Sequence, residues 1–266
     1  MTITHNRRAW DALVKDGQRF TLPARDEDFR DPLATVDPLG WLGPSIAGQR
    51  LLCLAAGGGR QSALYAAAGA EVTVVDISGA MLALDRQVAA ERGLDVRTVE
   101  SSMDDLSMLP AAGFDVVIHP VSTCYVSDVA AVYRQVARVT AAGGLYISQH
   151  KQPASLQADV RPSPGGYELI EPYYRSGPLP AVEGSPHREP GTLEYLHRLE
   201  DLLGGLCRAG FAIEDLIEPL HARPDAERGT FAHRSAFVAP YLRIKARRQG
   251  SAEPQSESTA RLWTPD

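Results

Sequence analysis

The 266-residue chain is long enough to bury one substantial core, and its composition, 44% hydrophobic and 23% charged, is that of an ordinary globular protein. A formal net charge of −6 argues against general affinity for nucleic acid or for an anionic membrane surface. No apolar run approaches the roughly 20 residues of a membrane-spanning helix, and MTITHNRRAW lacks the apolar core of a signal peptide, so a cytoplasmic protein is predicted. The three cysteines have neither zinc-ligand spacing nor the pattern of a disulfide framework.

Short apolar runs alternate with helix-periodic segments from Arg50 onward. Helix periodicity follows a capping Ser78 up to Gly93, and four valines recur at helical spacing from Val129 to Val139. This alternation predicts an α/β fold with a parallel sheet covered on both faces. The predicted strands are Leu51–Leu54, Glu71–Val75, Asp95–Val99, Phe114–Ile118 and Leu145–Ser148, then FAIEDLIEP (residues 211–219) and YLRIK (residues 241–245).

Three segments lie outside the alternation, and residues 1–248 are otherwise predicted to fold as a single domain. Residues 1–47 are predicted to form a short helix and a loop that lie over this domain. Residues 152–192 are rich in Pro, Gly and Tyr and are too long for an ordinary connector, which predicts an inserted lid over the substrate. The polar residues 249–266 are predicted to be a disordered tail.

The glycine run Gly57–Gly59 stands where the first strand gives way to the first helix of the alternation. In a doubly wound sheet this is the carboxyl edge, where ligands bind, and N–H groups at a helix start can donate to them. Asp76 ends the second strand, where a carboxylate can accept the hydroxyls of a ribose. Together the two features predict a nucleoside-bearing cofactor. The alternative is that the glycines only form a turn and that Asp76 only caps a helix.

The glycine run does not fit the other common phosphate-binding motifs. The Walker pattern requires a lysine that is absent here, and Ser62 occupies the place of the third glycine in the dinucleotide fingerprint. The chain instead resembles the class I S-adenosylmethionine-dependent methyltransferases, in particular their small-molecule branch, over about residues 48–150 and 193–248. The resemblance is carried by LLCLAAGGG, VTVVDIS, VESSMDDL, GFDVVIHPVS, AAGGLYIS, LCRAGFAIEDLIEP and PYLRIKARR, in that order.

This resemblance implies a seven-stranded, doubly wound Rossmann-like sheet, mostly parallel with an antiparallel last strand, and S-adenosylmethionine as the cofactor. Three departures concern the site. Cys53 stands where the family usually has an acid that orients the cofactor's amino group, and Ala55 replaces a glycine. Ser102 likewise stands where many members have an aspartate that binds the adenine amine. The cofactor-binding residues that the resemblance implies are Ala55, Ala56, Gly57, Gly58, Gly59, Asp76, Ile77, Ser102, Met103, Asp104, His119 and Pro120.

Methyl transfer from a sulfonium needs no covalent nucleophile, because the methyl group is already electrophilic. The enzyme must align the acceptor and exclude water, and a base helps where the acceptor loses a proton. The candidates for this catalytic role are His119, His150 and His197, although a lone histidine is more often structural. No metal is expected. Aromatic side chains suit a pocket for a small organic acceptor, and the candidate substrate-binding residues are Trp10, Tyr125, Tyr173, Tyr174 and Tyr195.

The sequence therefore predicts a metal-independent methyltransferase that moves the methyl group to a small-molecule oxygen or nitrogen and leaves S-adenosylhomocysteine. Neither a nucleic-acid nor a membrane partner is expected, and the chain is predicted to be a monomer or a homodimer. An NAD(P)-dependent oxidoreductase is one alternative, because it shares the glycines and the acid. A non-catalytic S-adenosylmethionine-binding protein is another, because the acid is missing at Cys53.

Overall fold

The protein is represented by a computed structural model, which describes residues 2–182, 185 and 187–250. Of the predicted disordered tail, only Gln249 and Gly250 belong to this range, and residues 251–266 lie outside the described residues.

Seven strands in the described part of the chain form one sheet. They are β1 (Arg50–Leu54), β2 (Glu71–Asp76), β3 (Val96–Glu100), β4 (Phe114–His119), β5 (Thr140–Lys151), β6 (Phe211–Ile217) and β7 (Tyr241–Arg248). Their spatial order is β3-β2-β1-β4-β5-β7-β6. The first five strands pair in parallel, whereas β7 runs antiparallel to both of its neighbours. The predicted doubly wound sheet with an antiparallel last strand is confirmed.

Helices precede the sheet and follow β1, β2, β4, β5 and β6 along the chain, whereas β3 and β4 are joined by turns. They are α1 (Thr2–Lys15), α2 (Pro32–Val36), α3 (Gln61–Ala67), α4 (Gly79–Arg92), α5 (Val129–Val139), α6 (Pro153–Gln157), α7 (Gly205–Arg208) and α8 (Phe231–Arg234). A π-helical turn, Glu200–Gly204, leads into α7, and short 3₁₀ turns occur at Arg19–Thr21, Asp26–Phe29 and Thr123–Tyr125. Within the described ranges, no helix has both the length and the apolar character that crossing a membrane requires.

Helices α4 and α5 show how local sequence sets the layer around the sheet. The Ser78 hydroxyl accepts a hydrogen bond from the N–H of Met81, and Gly93 ends α4 in the left-handed conformation, with φ of 64°. In α5 the four valines at helical spacing are all buried. They pack with α7 and one face of the sheet in one hydrophobic cluster, whereas α3 and α4 contribute to a second cluster on the other face. Both faces of the sheet are therefore buried.

The order of the strands places a crevice at the carboxyl end of β1. This strand pairs with β2 on one side and with β4 on the other, so the connection leaving β1 toward β2 and the connection leaving β4 toward β5 depart in opposite directions. The glycine run follows β1 directly, and Asp76 and His119 are the last residues of β2 and β4. The fold thus brings the three sequence features that suggested a ligand to one edge of the sheet.

The N-terminal helix lies over this edge and is tied to the end of the 152–192 insertion. The amide of Asn6, whose side chain is buried, donates to the carbonyls of Tyr125 and Leu193 and accepts from the N–H of Leu193. Thr2 and Tyr195 are joined by a 2.9 Å hydrogen bond between their hydroxyls. The predicted N-terminal helix is present and is 14 residues long, because it continues as far as Lys15.

Candidate functional site

A cavity of about 960 Å³ opens at the carboxyl edge of β1, β2 and β4. Its walls come from these strand ends, from α1 and the segment that follows it, and from the connection between β6 and β7. The volume is at the upper end of the roughly 300–1,000 Å³ range of small-molecule sites. The cavity is thus large enough for a cofactor and a second small molecule to lie side by side.

Asp76 forms part of the cavity wall and is itself buried. One carboxylate oxygen accepts from the N–H of Gly57 at 3.0 Å, and the other accepts from the N–H of Ser78 at 2.9 Å. Burial raises the pKa of this carboxyl from 3.8 to about 6, even though both hydrogen bonds oppose the rise. Each oxygen keeps a lone pair for a hydroxyl donor, so Asp76 is placed and charged to receive a diol at neutral pH.

The glycine turn is held by a carboxylate that the sequence analysis did not identify. Asp85 of α4 is fully buried and accepts from the N–H groups of Gly58 and Gly59 at 2.9 and 3.0 Å and from the hydroxyl of Ser62. The expectation that the glycine N–H groups are open to a ligand is therefore wrong. These donors already have partners within the chain, because α4 brings an acid to them.

The closeness of α4 also explains why two of these positions are glycine. A Cβ atom at Gly57 would lie 2.8 Å from the Cβ of Met81, and one at Gly59 would lie 2.8 Å from the carbonyl oxygen of Leu84. Such contacts are too short for any side chain, so the helix, rather than only a ligand, requires bare main chain here. Ala55 in turn has a φ of 49°, a left-handed conformation that costs a non-glycine residue roughly 1–2 kcal/mol.

The polar side chains near the glycine turn are not the ones that the resemblance to the methyltransferase family implies. Cys53 is fully buried in the core beneath the site and is absent from the cavity lining, so it cannot replace the missing acid. Gln61, the first residue of α3, does line the cavity, and its buried Oε1 has no hydrogen-bond partner among the described residues. An unpartnered buried acceptor is costly unless a ligand supplies a donor. Gln61 belongs to no familiar motif, so the sequence alone gives no signal for its role.

The segment after β3 meets the cavity through alternate residues. Ser101 and Met103 line it, whereas Ser102 and Asp104 do not. One buried oxygen of Asp104 also lacks a partner in the described part of the chain. Of the candidates for the cofactor site, Ala55, Ala56, Gly57, Asp76, Ile77, Met103, His119 and Pro120 line the cavity, and Gly58, Gly59, Ser102 and Asp104 lie behind it.

His119 is the candidate catalytic histidine that the fold brings to the cavity. Its Nδ1 lies 2.7 Å from the hydroxyl of Tyr146, while its buried Nε2 has no partner within the described residues. Burial lowers the pKa of the imidazole from 6.5 to about 3, so the ring is neutral at physiological pH. If the tyrosine donates to Nδ1, Nε2 is a donor; in the other tautomer, Nε2 is an acceptor.

The other two candidate histidines do not line the cavity. His150 is held between the hydroxyls of Thr123 and Ser148, each 2.8 Å from one of its ring nitrogens. The Nε2 atom of His197 lies 2.9 and 3.0 Å from the carbonyls of Thr123 and Val126. Both rings therefore tie the turn after β4 to its neighbours, which corresponds to the structural alternative.

Two of the five candidate substrate-binding aromatics reach the cavity. Trp10 of α1 packs edge-on against Tyr125, with ring centroids 5.6 Å apart, and both line it. Tyr173, Tyr174 and Tyr195 are not in the lining, and Tyr174 is 80% exposed. The insertion thus contributes to the site mainly through Glu189, to which the Tyr125 hydroxyl donates at 2.5 Å.

A buried ionic cluster fixes this part of the insertion to the end of β5. The ammonium of Lys151 lies 2.8 Å from a carboxylate oxygen of Glu189 and 2.8 Å from one of Glu194. Arg188 pairs with the second oxygen of Glu194 at 2.8 Å. The two cations balance the two anions, which allows the charged groups to be buried together.

The remaining wall of the cavity comes from the connection between β6 and β7, for which the sequence predicted no role. Residues 218–240, which join β6 to β7, contribute His221, Arg223 and Phe231, and the start of β7 contributes Tyr241 and Arg243. Since β7 is antiparallel, its first residues lie beside the last residues of β5, at the same edge as the strand ends. Periodicity alone does not reveal this placement, because it depends on strand direction.

Known proteins that resemble this chain include methyltransferases, which agrees with a cofactor cavity at the carboxyl edge of the sheet. The family model described as a methyltransferase domain matches residues 52–148. The uncharacterized methyltransferase YbaJ of Bacillus subtilis (strain 168) is 36% identical over 231 residues, which cover 81% of this chain and 90% of that protein. A ubiquinone biosynthesis O-methyltransferase of Bordetella pertussis is 32% identical over 124 residues, which cover 45% of this chain and 51% of that protein. The solved S-adenosylmethionine dependent methyltransferase from Mesorhizobium loti matches with a TM-score of 0.60 and 26% identity, over 77% of this chain and 93% of that one.

Proposed function

The chain belongs to the class I S-adenosylmethionine-dependent methyltransferases, and we propose that it methylates a small molecule on oxygen or nitrogen inside the cavity described above. The observation that carries this proposal is the cavity itself, which continues past Asp76 and His119 to aromatic side chains such as Trp41 and Tyr241. A small organic acceptor matches these walls. The acidic net charge argues against RNA as the acceptor.

The cofactor fits the polar groups of the site in two places. Asp76 would accept hydrogen bonds from the ribose hydroxyls, with Ile77 and Met103 beside the adenine. The unpartnered Oε1 of Gln61 would accept from the ammonium of the methionine moiety, and so replace the acid that is missing at Cys53. When bound, S-adenosylmethionine supplies an electrophilic methyl group, and the protein has to position it and keep water out.

His119 is the residue proposed to contact the acceptor. With a pKa of about 3, the ring is too weak a base to hold a proton at neutral pH, so its role is to orient the acceptor through Nε2. Tyr146 fixes the ring through Nδ1. The relatives named ubiquinone biosynthesis O-methyltransferases support oxygen as the first acceptor atom to test.

The segments around the cavity are proposed to act as its lid. Residues 1–47 and 152–192 were expected to cover the acceptor, and contacts of Asn6, Tyr125 and Glu189 support that role. The connection 218–240 is added to them, since His221 and Phe231 lie in the same wall. Such cover keeps water from the reacting atoms.

Radiolabelled methyl transfer tests the proposed function directly. The protein is incubated with S-[methyl-³H]adenosylmethionine and a panel of phenols, catechols and amines, and we expect label in one small-molecule class. With that acceptor, His119→Gln should lower kcat about 10- to 100-fold, because the oriented contact is lost, while the affinity for S-adenosylhomocysteine stays within a few-fold. Label that enters only protein or RNA from a lysate would refute the small-molecule proposal, and an unchanged kcat would remove His119 from the reacting centre.

Cofactor affinity is expected to depend on pH through Asp76. Ribose hydroxyls donate better to the ionised carboxylate, so binding favours loss of the proton, and affinity should rise as pH increases through about 6 and then level off. With a pKa of about 6 in the free protein, S-adenosylhomocysteine should bind about tenfold more weakly at pH 5 than at pH 7, as measured by calorimetry.

The variant Asp76→Asn keeps the side-chain shape but cannot ionise. It should remove most of this pH dependence and weaken binding at pH 7 by about 1–3 kcal/mol. Asp128→Asn, at the exposed cap of α5, is the matched control and should behave as the unaltered protein does. If the affinity for S-adenosylhomocysteine depends on pH in Asp76→Asn as it does in the unaltered protein, another group controls cofactor binding.

A further inference from the structure

Four arginines line the cavity, namely Arg19, Arg60, Arg223 and Arg243. Within the described ranges, none of them lies within salt-bridge distance of a carboxylate. This concentration of unpaired positive charge contrasts with the net charge of −6 of the whole chain.

The carboxylates that share the cavity lining are already engaged. Asp37 accepts from the N–H groups of Trp41 and Leu42, at 3.0 and 2.6 Å. Asp76 holds the two main-chain N–H groups described above, and Glu189 is paired with Lys151. The negative charges of the lining therefore have hydrogen-bond or ion-pair partners of their own, and none of them lies within salt-bridge distance of the four guanidinium groups.

Of these four arginines, Arg243 is the most removed from water. It is half-buried, and burial lowers the pKa of its guanidinium. Its Nε and Nη2 both donate to one neutral acceptor, the Oε1 of Gln149, at 3.0 and 2.8 Å. Gln149 is its direct cross-strand neighbour on β5, so the pair is held at the cavity edge by the sheet register. Among the described residues, the hydrogen-bond partner of this half-buried cation is neutral, and Asp37 attracts it only from beyond salt-bridge distance, so the cation is stabilised further when an anion arrives.

Flat aromatic rings line the same cavity as this cation. The rings of His221 and Tyr241 lie 5.4 Å apart, and Phe231 lies 5.5 Å from His221. Trp41 and Tyr65 also line the cavity. A cavity with aromatic walls and a guanidinium in its lining suits a planar molecule that carries a negative group.

We infer that the acceptor is a planar molecule with an acidic group, a carboxylate or a phosphate, and that Arg243 binds this group. The inference rests on the proposed function, since it names the chemical class of that function's acceptor. The cofactor's own carboxylate is a separate anion. Arg60, which follows the glycine turn and precedes Gln61, is the arginine placed to receive it.

The test uses simple probes on protein saturated with S-adenosylhomocysteine. Ligand-observed NMR measures the affinities of benzoate, phenyl phosphate and the neutral benzamide. We expect at least one of the two anions to bind tenfold or more tightly than benzamide, and the stronger of them identifies the acidic group. In Arg243→Gln this preference should be lost, and in Arg243→Lys it should be partly kept, because the charge remains.

Arg247→Gln is the matched control, because Arg247 lies on the same face of β7 but pairs with Glu214 at the other end of the strand. It should keep the preference for the anion. Equal affinity for benzamide and both anions, or a preference that survives in Arg243→Gln, would overturn the inference. If Arg243→Gln instead weakens S-adenosylhomocysteine and spares the probes, the arginine belongs to the cofactor and the inference fails. Absence of S-adenosylhomocysteine binding to the unaltered protein would be a failure of the cofactor site itself, and the first calorimetric titration detects it separately.

Discussion

Lys151→Met is expected to lower the free energy of unfolding by about 3–5 kcal/mol, the largest loss predicted for any single substitution considered for this protein. The side chain of Lys151 is 1% exposed and that of Glu194 is fully buried, so removal of the ammonium leaves Glu189 without a cation and Glu194 with Arg188 alone in a largely buried cluster. Chemical denaturation followed by circular dichroism measures this loss.

The same substitution at an exposed pair provides the comparison. Lys245 lies 3.6 Å from Glu214 with its side chain 21% exposed, and Lys245→Met should cost less than about 1 kcal/mol. Adding Glu189→Gln to Lys151→Met removes the carboxylate that has lost its cation, since Glu194 keeps its pair with Arg188, and should restore part of the stability. If Lys151→Met costs no more than Lys245→Met, the cluster does not hold the insertion in place as described.

Asp85→Ala is the second change with a large expected effect, a loss of about 2–4 kcal/mol in the free energy of unfolding. The carboxylate accepts three hydrogen bonds, and alanine would leave the N–H of Gly59 without an acceptor and that of Gly58 with only the carbonyl of Met81, at 3.2 Å, in a buried turn. The turn should also loosen next to the cofactor, so S-adenosylhomocysteine should bind more weakly. Thermal or chemical denaturation and calorimetry measure the two effects.

Glu91→Ala is a suitable reference, since Glu91 is an exposed acid on the same helix whose carboxylate contacts only Gln87 within the described residues. It should change neither stability nor cofactor affinity by more than about 0.5 kcal/mol. A stable Asp85→Ala protein with unchanged cofactor affinity would mean that the glycine turn keeps its shape without the carboxylate.

Much of the fold was predictable from the sequence because its signals are local. Strand runs, the cap at Ser78 and the stop at Gly93 each depend on neighbouring residues, and the structure confirms them. The strand-end positions of Asp76 and His119 follow from the same pattern, because residues at the ends of parallel strands share one edge. Those two candidates therefore did reach the cavity.

For the other candidate site residues, the sequence could not show which of them line the cavity, because their surroundings come from distant parts of the chain. His150 follows the strand pattern as well as His119 does, but the hydroxyls of Thr123 and Ser148 occupy both of its ring nitrogens. Tyr173 and Tyr174 belong to the same 152–192 insertion as Glu189, but of these three residues only Glu189 lines the cavity. A side chain's partners are a tertiary property, and no local periodicity encodes them.

The sequence by itself determined the order of strands and helices, the edge at which a ligand binds and the carboxylate at Asp76, since each follows from spacing along one segment. Only the tertiary structure decided that Asp85 holds the glycine turn and that Arg243 stands at the cavity. The reason is geometric. Asp85 reaches the turn because α4 packs against it, and Arg243 reaches the edge because β7 runs antiparallel to β5, and both depend on contacts between residues far apart in the chain.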